Sequence, residues 1–166
     1  MAGKTTKVYR EVKQCWQSVL NGRLLSIDPS TGSGSSMPGY AVFYKGQLEE
    51  SDIIQVNPAD RRNQKLFSIS ESLYNEFDEP DVLAIEHIPP VPFNRKGAMN
   101  GWSIAALQRA IGAIISCFNC EYIEVSPKAW QNHKPANYQK TDEWDAITIG
   151  LCVIDIARQI QAEIER

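Results

Sequence analysis

The chain has 166 residues, 43% hydrophobic and 22% charged, which suits one ordinary domain with its own core and leaves no room for two sizeable ones. A formal net charge of −3 excludes a globally basic surface, so any contact with nucleic acid has to come from a local cluster of Lys and Arg. No apolar run approaches the roughly 18 residues that span a bilayer, and MAGKTTKVYREVKQ lacks the apolar stretch of a signal peptide, so a soluble, cytoplasmic protein with no membrane contact is expected.

The sequence divides into residues 1–22, a basic amphipathic helical extension, and 23–166, the domain proper. In the extension Val8, Val12, Cys15, Trp16 and Val19 recur at helical spacing, with Lys4, Lys7, Arg10 and Lys13 between them. Three β-type runs follow, at Arg23 to Pro29, Tyr40 to Lys45 and Leu48 to Val56. A Gly/Ser loop separates the first two and Lys45-Gly46-Gln47, a hairpin signal, the last two, so an antiparallel meander is predicted. Leu66, Ile69, Leu73 and Phe77 predict a helix over Arg61 to Phe77 that Pro80 closes off. DVLAIEHI reads as a strand buried on both faces. The proline-rich PPVPFNRKGAMNG leads into WSIAALQRAIGAIISCF, an almost wholly apolar helix. EYIEV is a fifth strand, and a terminal helix opens at TDEWDAITIGL. The resulting order, β-β-β-α-β-α-β-α, predicts an α/β fold with a mixed five-stranded sheet between helices.

Cys15, Cys117, Cys120 and Cys152 are scattered in apolar contexts, so no disulfide framework is implied. The single Cys-x-x-Cys of CFNC has neither His87 nor His133 at a zinc-partner spacing. The Gly/Ser loop after Asp28 leads into a strand rather than a helix and has no lysine, which argues against a phosphate cradle.

The carboxylates are more informative. Asp28 ends one very apolar strand and Glu86 another, while Asp142 and Asp145 share one face of the terminal helix at i and i+3. Singly, each is an ordinary strand-end or first-turn acid favoured by the helix dipole. Together, strand tips converging near a helix N-terminus would make a cluster whose members repel one another unless cations neutralise them. Hard oxygen ligands of this kind suit Mg²⁺ or Mn²⁺, and two such ions promote phosphodiester hydrolysis.

IDPSTG followed by PGYAV resembles the first strand, catalytic aspartate and returning strand of the RuvC family of Holliday-junction resolvases, in the RNase H-like superfamily. LAIEHI is similar to that family's glutamate strand, SIAALQRAIGAIIS to its central helix and DEWDAITIGL to its Asp-x-x-Asp-Ala helix. The likeness runs in order from Leu24 to Ile156. It implies an RNase H-like three-layer fold, with Asp28, Glu86, Asp142 and Asp145 as catalytic and metal-binding residues, two Mg²⁺ or Mn²⁺ ions per site, and a homodimer making paired nicks in four-way and other branched DNA. Three segments depart from the family pattern. The loop after Asp28 is longer, the N-terminal helix is extra, and PPVPFNRKG replaces the segment that presents an aromatic to the junction, where Phe93 is the candidate.

DNA contact is expected from Phe93, Arg95 and Lys96 after Glu86 and from Lys128, Lys134 and Lys140 before Asp142. Trp102 and Trp130 read either as base-stacking partners or as loop anchors. The nearly all-round apolar central helix needs cover on a second side, from a two-fold partner or from the terminal helix of the same chain. Two alternatives remain: an RNase H-like nuclease acting on RNA or RNA–DNA hybrid, and a non-catalytic binding module of the same fold. An Asp-x-Ser-Thr-Gly hairpin is also similar to sugar kinases and actin-like ATPases, which need a duplicated domain.

Overall fold

The computed structural model of the chain describes residues 6–30, 37–88 and 101–166. Helix α1 (Lys7–Asn21) precedes strands β1 (Arg23–Asp28), β2 (Gly39–Tyr44) and β3 (Gln47–Ile53). Then come α2 (Arg62–Glu76), β4 (Val82–Glu86), α3 (Gly101–Ser116), β5 (Glu121–Val125), the short α4 (Pro127–Trp130), a turn of 3-10 helix and α5 (Asp142–Ile164). The sheet order is β3-β2-β1-β4-β5. β1, β2 and β3 form the predicted antiparallel meander, and β4 and β5 add to β1 in parallel. The Lys45-Gly46 turn has φ of 50° and 72°, the left-handed pair that matches strand twist in a two-residue hairpin.

Side-chain alternation splits the core in two. Leu24, Ala41, Phe43, Val82, Ala84, Ile123 and Val125 face α5 and α1, while Leu25, Ile27, Val42, Leu83 and Ile85 face α2 and α3. The central strands are apolar on both sides because helices cover both sides. α5 supplies the most cover, with Ile149, Val153, Ile154 and Ala157 fully buried. Each of these Ile and Val side chains is worth roughly 1.5–3 kcal/mol of transfer free energy.

α3 lies on the face opposite α5, so the terminal helix does not supply its second cover; α2 and the sheet bury Leu107, Ile111 and Ile114. The N-terminal helix packs on the domain: Val8, Tyr9, Val12 and Val19 join the α5 core, and the Tyr9 hydroxyl donates to Glu163 Oε2 at 2.7 Å. Its cations are partly spent within the chain, since Lys7 pairs with Glu124 and Glu11. Among the described residues no helix is long and apolar enough to cross a membrane.

Candidate active site

β1 and β4 run parallel in a register that pairs Ile27 with Ile85, so the next residues, Asp28 and Glu86, stand side by side at the strand tips. Alternation from Ser26 and Ala84 turns both toward α5. Pro29 holds Asp28 in extended backbone, because the α conformation is disfavoured before proline.

The N-terminus of α5 is brought to these tips by contacts that exclude larger side chains. Ser26, fully buried, donates through Oγ to the carbonyl of Ala146 at 2.7 Å and to that of Ala41 at 3.3 Å. A Cβ on Gly150 would lie 2.2 Å from the ring of Phe43, and one on Gly39 would lie 2.0 Å from the carbonyl oxygen of Asp142. Thr141 caps the helix by accepting from the Trp144 N–H, and the first turn presents Asp142, Glu143 and Asp145. Asp142 accepts from the Met37 N–H at 3.3 Å. Glu143 turns aside to accept from Ser51 Oγ at 2.6 Å.

Burial is the largest influence on Asp28, and Glu86, Asp145 and Asp142 add to it; together they push its carboxyl up to about 9. The hydrogen bond between Asp28 and Glu86 also favours the protonated form of Asp28. Burial likewise raises Glu86, opposed by the bond from Trp130, and raises Asp145, opposed by the bond from Tyr138 and by the Lys134 and Lys140 ammoniums. As they stand, no three acidic, histidine or cysteine side chains among the described residues are close enough to ligate one ion. The donor set is nonetheless all carboxylate oxygen, with its mutual repulsion relieved by a proton where a cation would serve, and this fits a hard divalent ion.

Of the six residues expected at DNA, Phe93, Arg95 and Lys96 lie outside the described residues. Lys128, Lys134 and Lys140 are exposed on the segment leading into α5. Lys128 lines a cavity of about 280 Å³ with His87, Ser126, Asn132 and His133. Lys134 sits over the Tyr138 ring at 4.3 Å and the Trp130 ring at 5.4 Å. Trp130 is the loop anchor of the two readings, 4% exposed with its indole N–H donating to Glu86 Oε1 at 2.9 Å. Tyr138, which the sequence reading did not single out, donates to Asp145 Oδ1 at 2.5 Å.

No protein-family model matches the chain, and comparison with curated proteins gives no match. Among solved structures, Thermus thermophilus RuvC in complex with a Holliday-junction substrate superposes with a TM-score of 0.60 at 13% identity, over 86% of this chain and 95% of that one. Another structure of T. thermophilus RuvC gives 0.54 at 16% identity, over 86% and 96%. The yeast mitochondrial Holliday-junction resolvase Ydc2 gives 0.54 at 12%, over 93% and 94%. With the sheet order and flanking helices described above, these likenesses give the chain the RNase H-like fold of the RuvC-type resolvases.

Proposed function

We propose that this chain is a divalent-metal-dependent endonuclease that resolves four-way DNA junctions by paired nicks, working as a homodimer. The observation that supports the reading is that Asp28 and Glu86 end two adjacent parallel strands while Asp142 and Asp145 lie in the first turn of the helix packed beside them, in a fold shared with proteins solved as Holliday-junction resolvases. Such a cluster raises the cost of ionising its own carboxyls, which structural selection alone does not explain.

Asp28, Glu86, Asp142 and Asp145 would hold Mg²⁺ or Mn²⁺. When bound, a pair of such ions supplies activation of water and neutralisation of charge at the scissile phosphate. The carboxylates orient the site, Lys128 and Lys140 hold the approaching backbone by its phosphates, and the buried floor formed by Ala84 and Ala146 excludes bulk water from behind the acids. Water oxygen bonds to phosphorus as the bond to the 3′ oxygen breaks, leaving 5′-phosphate and 3′-hydroxyl ends. A second copy would cover the α2–α3 layer, where Phe67 and Tyr74 project 67% and 76% exposed beside Cys117.

The test is Mg²⁺-dependent cleavage of a synthetic four-way junction beside linear duplex, flap and RNA–DNA hybrid, with wild type and Asp28→Asn. Symmetric nicks confined to the junction and lost in the variant are expected. Preferential cutting of hybrid would make the chain a ribonuclease of the same fold. No cleavage with either Mg²⁺ or Mn²⁺ would leave a non-catalytic binding module.

A further inference from the structure

We infer that Trp130 and Tyr138 are positioning residues of the acid cluster, each holding one carboxylate for the metal, and that Lys134 locks the two rings together. The assignment rests on the metal-centre reading above.

The indole of Trp130 is buried, and among the described residues no buried side-chain nitrogen or oxygen lacks a hydrogen-bond partner. Packing alone would be served by a ring without a donor; the N–H is what indole adds, and it is spent on Glu86 Oε1. The phenol of Tyr138 is spent in the same way on Asp145 Oδ1. Each donor occupies one oxygen of a carboxylate and fixes its rotamer, leaving the other oxygen to bind. Outer hydrogen bonds of this kind orient the groups that ligate a metal.

Lys134 joins the pair. Its ammonium lies over both ring faces, where the quadrupoles attract it. The segment is pinned to α5 by His133, whose Nδ1 lies 3.0 Å from Asp155 Oδ2, and is braced internally by Asn132, which donates to the Lys128 carbonyl. One stretch, 127–140, therefore reaches back to grip the acid of β4 and one acid of α5, and so couples two elements distant in sequence.

The test is Mn²⁺ titration followed by electron paramagnetic resonance on the full chain, for wild type, Tyr138→Phe, Trp130→Phe and Lys134→Met. Thermal unfolding in chelator and junction binding without metal are measured alongside. Tyr138→Phe and Trp130→Phe should each weaken Mn²⁺ binding roughly 10-fold or more, the usual consequence of losing an outer hydrogen bond to a ligand. Lys134→Met should show a smaller loss in the same direction, and junction binding without metal should hold for Tyr138→Phe. Tyr138→Phe removes a single oxygen at a half-buried site, so it carries the test if Trp130→Phe fails to fold. Wild-type affinity in a folded Tyr138→Phe protein would overturn the assignment while leaving the metal centre standing. A wild type that binds no Mn²⁺ would overturn both.

Discussion

Replacing Asp28 with Asn should stabilise the metal-free chain, although it removes a residue on which the proposed activity depends. In the folded protein the Asp28 carboxyl is pushed up to about 9 from 3.8, so between those values the folded chain holds a proton that the unfolded chain has released. Stability from this group is therefore complete below pH 4 and is lost steadily as pH rises toward 9. At pH 7 the loss spans about 3 pH units at about 1.4 kcal/mol each, a ceiling of about 4 kcal/mol. Asn pays no such ionisation cost and can still donate to Glu86, so a net gain of about 1–3 kcal/mol is expected after repacking. At about 2–4 °C per kcal/mol for a domain of this size, the unfolding midpoint should rise by several degrees in chelator at pH 7. The assay is thermal unfolding of both proteins from pH 4 to 8, with chelator and with saturating Mn²⁺. The advantage of Asn should shrink toward pH 4, and Mn²⁺ should reverse the ranking, because only the wild type gains binding free energy from the full set of ligands. A variant no more stable than wild type in chelator at pH 7, or an advantage that does not change with pH, would refute the reasoning.

Gly39→Ala should drive a methyl into the Asp142 carbonyl, displacing the first turn of α5 and costing Mn²⁺ affinity more than thermal stability; paired titration and unfolding check this. Ser26→Ala strips two buried carbonyls of a shared donor and should cost about 1–3 kcal/mol in denaturant unfolding with its slope unchanged. Phe67→Asp combined with Tyr74→Asp should leave the chain folded but monomeric by sedimentation, with paired junction nicks becoming uncoupled single nicks.

The acids of the proposed site stand out in the sequence because each interrupts a pattern: Asp28 and Glu86 break apolar runs at their ends, and Asp142 and Asp145 share a helix face. The meander was legible from its turn residues. Less was legible wherever the partner of a residue mattered more than its type. The apolar stripe of α1 was visible, but periodicity does not reveal what covers a stripe, and α5 and β5 cover it here. The same blindness left α3 open between two covers, and the sheet itself separates it from α5. Trp130 showed only as an aromatic among cations, and nothing in the sequence ties its N–H to a glutamate 44 positions earlier. Tyr138 gave no signal at all, since a lone tyrosine in a polar loop is unremarkable by composition. Gly39 and Gly150 were equally silent; their role is the absence of a side chain where helix and sheet touch.

The acids stand on strand ends and on a helix anchored through Ser26 and Gly150, whereas the chain segments that follow Asp28 and Glu86 are connections between elements. The β1–β4 pairing and the Ser26 and Gly150 contacts that seat α5 are made by residues outside those connections. Under the proposed function, chemistry and target choice would therefore be inherited separately, with substrates exchanged through loop turnover and the acid centre left as it is. Low overall identity alongside a retained fold is the signature such a history would leave.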